Sequence, residues 1–353
     1  MGFLLFLFAF IFFNSIVFFH EFGHFITAKL FRVKVEEFAL GMGPKVISKK
    51  IGETLYSFRC LPVGGFCSLE GEEKYSESKS SFSIKPFWQK VTIISAGCFM
   101  NLLVGVVFSS VVFAFCGLPS TSISEFGMNS ISQESGLELN DKIISIDKNK
   151  TFICRDIMFF LLTNPKENYD VEIIRNNVKM TLKNVRFSHI KDANGKYHYY
   201  IDFGVGTIKK TFLNLINYSV LNTYSISRVS IYAILGLFRG KFRISDLVGP
   251  IGIADQIRRV AGEGLKIGFG TAILHILEVM TMLTVSIGIF NMVPFPAFDG
   301  GRILLLIIEK ILNRRFSKKV ENAINYTGFC LIILLALVVS YHDVIRLING
   351  FNV

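Results

Sequence analysis

The sequence predicts a polytopic α-helical membrane protein of about four transmembrane helices, with a glycine-punctuated β-segment and one inserted β-rich domain. Three observations carry that reading. The 353 residues are 51% hydrophobic, include 36 Phe and have a mean hydropathy of +0.48, which suits membrane spans accompanied by some soluble mass. Four stretches are long and apolar enough to cross a bilayer: Phe3 to beyond His24, about Val91–Cys116, about Thr271–Val293 and about Asn325–Ile348. The basic residues behind the net charge of +11 cluster beside these runs, which points to cytoplasmic loops and not to nucleic acid. One cluster is Lys29, Arg32, Lys34, Lys45, Lys49 and Lys50; the other is Lys310, Arg314, Arg315, Lys318 and Lys319. With both inside, the N-terminus, the long loop 117–270 and the C-terminus lie outside the cytoplasm.

The first span carries no charge before His20 and lacks the basic start and small-residue cleavage site of a signal peptide. It closes with His20-Glu21-Phe22-Gly23-His24. On a helix His20 and His24 project from one face and can bind one Zn²⁺, with Glu21 beside them as a general base. The alternative is three polar residues capping the helix at the interface. An ionisable side chain at the bilayer centre costs about 2.5–3.5 kcal/mol, so such a cluster marks function.

Val33 to Glu73 follows, with Gly41-Met42-Gly43-Pro44, an alternating Thr54–Phe58 and Pro62-Val63-Gly64-Gly65-Phe66. These read as β-hairpins whose edges must pair with protein or line a wet cavity. Glu72, Glu73, Lys74, Glu77 and Lys79 read as a solvated linker. The cysteines at 60, 67, 98, 116, 154 and 330 form no C-x-x-C and read as small apolar residues, neither zinc ligands nor a disulfide framework.

Beyond the second span, residues 117–210 are expected to form the inserted domain. Gln133–Asp147 (QESGLELNDKIISID) resembles a stretch typical of PDZ domains, with Asn140 where Gly is usual. Asn tolerates the positive φ required there. Arg155–Thr163 would be its groove-lining helix, and Val171–Arg175 with Val178–Leu182 a hairpin about Asn176-Asn177. PDZ domains bind extended peptides by strand addition, so a peptide or the outer segment of a substrate is an expected partner. In 211–270, residues 211–238 hold one charge, Arg228; the two-sided topology favours an interfacial amphipathic helix touching lipid over a fifth span. Leu247–Ala254 reads as a turn.

A catalytic zinc takes three protein ligands and leaves one position open. His20 lies roughly 25 Å down a core of about 30 Å, near the cytoplasmic face. His275 and Glu278 begin the third span at its outer end, and His342 and Asp343 close the fourth there, so none of them reaches. Asp299 follows the third span at its inner end, after Pro294 and Pro296 break the helix and before Gly300-Gly301. It is the expected third ligand; its alternative is the N-cap of the next helix.

His20-Glu21-x-x-His24, Gly41-x-Gly43-Pro44, Pro62-x-Gly64-Gly65-Phe66 and Asn291-x-x-Pro294-x-Pro296-x-x-Asp299-Gly300-Gly301, in that order around one PDZ-like insert, resemble the site-2 protease family of intramembrane zinc metalloproteases. The resemblance is to its bacterial, RseP-like branch and covers almost the whole chain. It implies that His20, His24 and Asp299 bind zinc and that Glu21 activates water. It further implies that Asn291 holds the substrate backbone or the developing oxyanion, and that the Gly41 and Gly43 segment is a re-entrant β-hairpin presenting substrate as an added strand. Ala96-Gly97-Cys98-x-x-Asn101 stands for the family's Ala-Gly-Pro-x-x-Asn, and Phe298 for its Leu. The implied activity is peptide-bond hydrolysis in or near the spans of single-span membrane proteins, at the bacterial cytoplasmic membrane, on substrates such as anti-sigma factors or remnant signal peptides. The rival reading is a zinc or proton transporter using intramembrane His and acidic residues. It would need neither Glu21 between the ligands nor the insert, and 271–353 shows no repeat of 1–116.

Overall fold

The computed structural model describes residues 2–72, 75–191, 197–240, 247–314 and 316–348. Glu73, Lys74 and Arg315 lie outside them. The chain divides into two compact units, Met1–Phe108 with Ser230–Val353, and Ser109–Val229.

Among the described residues, four helices are long and apolar enough to cross a membrane: Phe6–Leu30, Phe87–Cys116, Phe269–Asn291 and Lys319–Ile348. They belong to α1 (Gly2–Leu30), α2 (Phe87–Cys116), α7 (Phe269–Asn291) and α9 (Lys318–Ile348). At 1.5 Å per residue even the shortest exceeds about 30 Å. These are the four spans the apolar runs predict. α1 ends where Arg32 turns to φ 54° and the Val33 amide closes back on the Ala28 carbonyl at 2.8 Å.

The segment after α1 forms β1 (Val35–Ile51) and β2 (Thr54–Leu69), antiparallel about a turn at Gly52. Both strands bend on themselves. Ala39 faces Ser57 on one side and Phe66 on the other, while Ser48 also faces Ser57. The result is four rungs in the order 45–51, 54–59, 37–40, 65–69. The bends fall at Gly41 and Gly43 (φ +84° and +85°) and at Gly64 (φ +85°), where L-residues are strained. A Cβ on Gly41 would overlap the Leu61 carbonyl oxygen. Val35 and Leu69 pack with Ala28, Phe82, Ile93 and Ile94 into a core that ties the sheet to α1 and α2.

The segment read as a turn is a correction. Pro250 opens α6 (Pro250–Ile267), an 18-residue helix with Gly249 as its N-cap. Pro suits the first helical position because its missing N–H has no partner there in any helix. The side chain that caps the helix comes from α9: Asp343, fully buried, accepts the Gly249 and Gly252 amides at 3.0 and 2.8 Å. A Cβ on either glycine would press on that carboxylate, at 2.8 and 2.9 Å. Arg346 donates to the Leu247 carbonyl at 3.1 Å, and Ala261 packs with Ala272, Ile276 and Met280 of α7 and Ile16 of α1. His275 serves this packing, its ring nitrogen 3.1 Å from the Val260 carbonyl. Asp343→Ala is expected to release the first turn of α6, because hydrogen bonds to a buried charge contribute about 1.5–3 kcal/mol. Hydrogen exchange at the Gly249 and Gly252 amides should rise at least ~10-fold, in line with that energy; unchanged protection would show that the cap is dispensable.

The second unit holds an antiparallel sheet in the order β10 (Phe203–Thr207), β3 (Pro119–Phe126), β4 (Lys142–Ile146), β6 (Tyr169–Arg175), β7 (Val178–Val185), with β5 (Asn149–Lys150) paired to β4. Short α3 (Ile131–Glu134), α4 (Cys154–Thr163) and the β8 (His189–Lys191)–β9 (Tyr197–Tyr199) ladder accompany it. Ile143, Ile157, Val171 and Phe187 centre its core. Asn176 and Asn177 take φ of 50° and 62°, as a two-residue hairpin turn requires, and Asn140 takes 69°. α5 (Phe212–Phe238) is not among the four helices apolar enough to span. Within this unit its polar residues face inward: Ser219, Asn222, Thr223 and Ser225 are buried while Phe212, Leu213, Ile216, Val220 and Tyr224 are exposed. Ser225 donates to Asp156 of α4 at 2.5 Å, and Arg228 lies over the Phe152 and Phe160 rings.

Candidate active site and metal centre

α1 presents His20 and His24 from one face, their ring centroids 4.9 Å apart. Two small residues of α2 let the rings fit. A Cβ on Gly97 would overlap His24 Nε2 and come within 2.8 Å of His20 Cε1, and Gly23 in turn meets the Ala96 carbonyl. This close approach of backbones explains Ala96-Gly97 in the second span. The His24 ring is fixed from behind by Nδ1, 2.9 Å from the Ile93 carbonyl, which leaves Nε2 free as a lone-pair donor.

Asp299 reaches the same point from the far end of the chain. After α7 the chain turns at Pro294 and Pro296, Ala297 adopts φ 75°, and α8 (Asp299–Leu312) begins. A Cβ on Gly300 would overlap the Met292 carbonyl, and one on Gly301 the Phe295 carbonyl, so only glycines let α8 double back this tightly. The N-cap is Phe298, without a side-chain hydrogen bond. The Asp299 carboxylate points instead at the imidazoles, with Oδ2 3.2 Å from His20 Nε2 and 3.4 Å from His24 Nε2. The two Nε2 atoms are 3.3 Å apart. Tetrahedral zinc with bonds of about 2.0–2.1 Å sets neighbouring donors about 3.3–3.4 Å apart. All three spacings match, and the donor set of two imidazoles and a carboxylate suits zinc.

A cavity of about 950 Å³ opens on these atoms, lined also by Glu21, Asn101, Asn291 and the strand Phe66–Leu69. Asn291 Nδ2 lies 3.4 Å from His20 Nε2. A Cβ on Gly65 would sit 3.7 Å from Glu21 Cγ, which puts the 65–69 rung beside the acid. Gly41 and Gly43 do not line the cavity; they shape the bends of the sheet. Three features escaped sequence reasoning. Glu72, read as part of a solvated linker, is paired with Arg302 of α8 and lines the cavity. Asn101, fully buried, lines the same cavity. Cys98 is also more than an apolar filler, its thiol 3.6 Å from Asp299 Oδ2. An acid just past a strand and an Asn one turn beyond Ala96-Gly97 were the signals available.

The geometry suits a metal centre, and comparison with known proteins decides the family. Residues 8–335 match the model of peptidase family M50. The chain belongs to that family. A Clostridium perfringens protein provisionally named a zinc metalloprotease is 34% identical over 340 residues, covering 96% of this chain and 98% of its own. A Fusobacterium nucleatum protein with the same provisional name is 32% identical, covering 98% and 99%. The regulator of sigma-W protease RasP of Bacillus subtilis is 28% identical, covering 96% and 97%. This M50 chain is thus a zinc metalloprotease with membrane-spanning helices, and the transporter alternative falls away.

Proposed function

We propose that this M50 peptidase hydrolyses peptide bonds in or near the transmembrane segments of single-span membrane proteins, with His20, His24 and Asp299 as the zinc ligands. The observation that carries the reading is the convergence of those three donors, 3.2–3.4 Å apart, on a cavity built from α1 and α7, two of the four apolar helices. Bound there, zinc supplies the Lewis acidity that activates water and a peptide carbonyl. Glu21 takes the proton of the attacking water and returns it to the leaving amine, as base and then acid. Asn291, beside His20, holds the substrate main chain or the oxygen on which charge develops.

A helical substrate hides its amides in its own hydrogen bonds, so it must unwind before attack. We assign the compensating strand to Phe66–Leu69, because that rung is the edge of the sheet that lines the cavity, and not to the bends at Gly41 and Gly43. β1 and β2 then act as the re-entrant segment, adding substrate as a further strand. The second unit reads as the PDZ-like domain, with 117–210 as its bounds and a peptide or the outer segment of the substrate as its ligand. Both basic clusters face the cytoplasm in this reading, which puts the N- and C-termini outside and the zinc near the inner face of the bacterial cytoplasmic membrane. Likeness to a regulator of sigma-W protease makes anti-sigma factors the first substrates to try.

The test reconstitutes the chain in vesicles with a tagged single-span substrate and maps the cut by mass spectrometry. Cleavage should fall in or beside the span and stop when a chelator removes zinc. Cuts confined to soluble loops, or undiminished by the chelator, would overturn the reading.

A further inference from the structure

Asn101 sits on α2 one turn beyond Gly97, the residue against which both imidazoles pack. Its side chain is fully buried, and among the described residues neither Nδ2 nor Oδ1 has a hydrogen-bond partner. The residue is nonetheless held firmly. Thr284 donates to its backbone carbonyl at 3.2 Å, and a Cβ on Gly288 would lie 3.1 Å from its own Cβ, so α7 clamps it against α2. It lines the cavity together with Val17, His20, Ile287 and Asn291. Leu would fill the same volume without burying two polar atoms unpaired, and burial of that kind is costly. An amide placed so, on packed helices in the wall of the cavity, is left for a partner that arrives with the substrate.

The chemistry of that partner follows from the group itself. A carboxamide offers an N–H and a C=O side by side, the complement of the N–H and C=O of one residue in an extended chain, which point to the same side. A peptide inside an intact helix has spent those groups on its own turns; an unwound one has not. We propose that Asn101 is a substrate-binding residue that pairs, through both amide atoms, with the main chain of the unwound substrate on the apolar side of the zinc ligands. It would recognise unwound backbone and not side chains, which suits an enzyme acting on many apolar sequences. The proposal rests on the intramembrane proteolysis reading above.

The test uses the full chain in vesicles and a semisynthetic single-span substrate in which one backbone amide at a time, around the cut, is replaced by an ester. With the wild type, one ester position should lower kcat/KM about 5- to 10-fold, the worth of one hydrogen bond. Asn101→Leu should cleave the all-amide substrate at least ~10-fold more slowly, on the same scale for two lost bonds, and should be indifferent to that ester. It should keep the zinc content of the wild type and unfold at the same or a higher temperature, since an unpaired buried amide is gone. Asn101→Ser, which keeps a hydroxyl, serves if the Leu variant does not fold and should show a reduced ester effect. The proposal is overturned if no ester effect depends on residue 101, if cleavage is unchanged, or if the variants lose zinc, which would place Asn101 behind His20. If the wild type neither holds zinc nor cleaves, the proteolysis reading itself fails. Cleavage by the wild type with no coupling to residue 101 defeats only this inference.

Discussion

Glu21→Gln should leave about one zinc per chain in place and slow cleavage of a membrane substrate by about 10²- to 10⁴-fold, the range that general acid–base catalysis supplies. The structure gives the reason for both halves. Glu21 lies between the two imidazoles in sequence but is not part of the triad of donors, which is complete with His20, His24 and Asp299. It lines the same cavity and lies against the 65–69 rung, where a substrate strand would bring the scissile bond. Gln keeps the shape and the packing and loses only the ability to accept a proton. Zinc measured by mass spectrometry on the purified variant, with cleavage measured in the same vesicles, separates the two effects. A variant that keeps its zinc and cleaves as fast as the wild type would remove Glu21 from the chemistry.

Asp299→Ala should have the opposite signature, with the metal lost first and activity lost as a consequence. Loss of an outer hydrogen bond to a zinc ligand commonly costs 10- to 100-fold in affinity, and loss of the ligand itself should cost at least that. Only the two imidazoles of the donor group would remain. Dialysis against a buffered low zinc concentration, followed by metal analysis, should leave the variant nearly metal-free while the wild type stays loaded. Asp299→Asn tests charge apart from shape and should fall between. Stoichiometric zinc retained by the Ala variant would mean that the third donor is another residue.

Much of this was readable from the chain because it is encoded locally. The four spans are apolar runs whose length alone matches the bilayer. His20 and His24 meet because four residues make about one helical turn. The Asn176-Asn177 turn follows from residues that tolerate positive φ. The placing of Asp299 beside the imidazoles was likewise expected from span order and depth.

α6 did not yield, and the reason is instructive. Gly249-Pro250-Ile251-Gly252 looks like a turn because glycine is costly within helices, by about 1 kcal/mol. The offsetting contact is the Asp343 carboxylate, 91 and 94 residues away in sequence, which needs glycine at both positions to approach. Glu72 misled in the same way. In sequence it belongs to a charged linker; in the fold its carboxylate pairs with Arg302, accepts the Leu69 amide and lines the cavity.

The sequence by itself determined the membrane class, the number of spans, the imidazole pair with its acid, and the family resemblance. Periodicity, length and short-range spacing suffice for those. Tertiary structure alone decided which polar groups share a cavity: Asn101 as well as Asn291, Glu72 with Arg302, and the Phe66–Leu69 rung in place of the Gly41–Gly43 bends. Those juxtapositions depend on how closely helices can approach, and that is set by small residues such as Gly23, Gly97 and Gly288 meeting backbone or side chains far away in the chain.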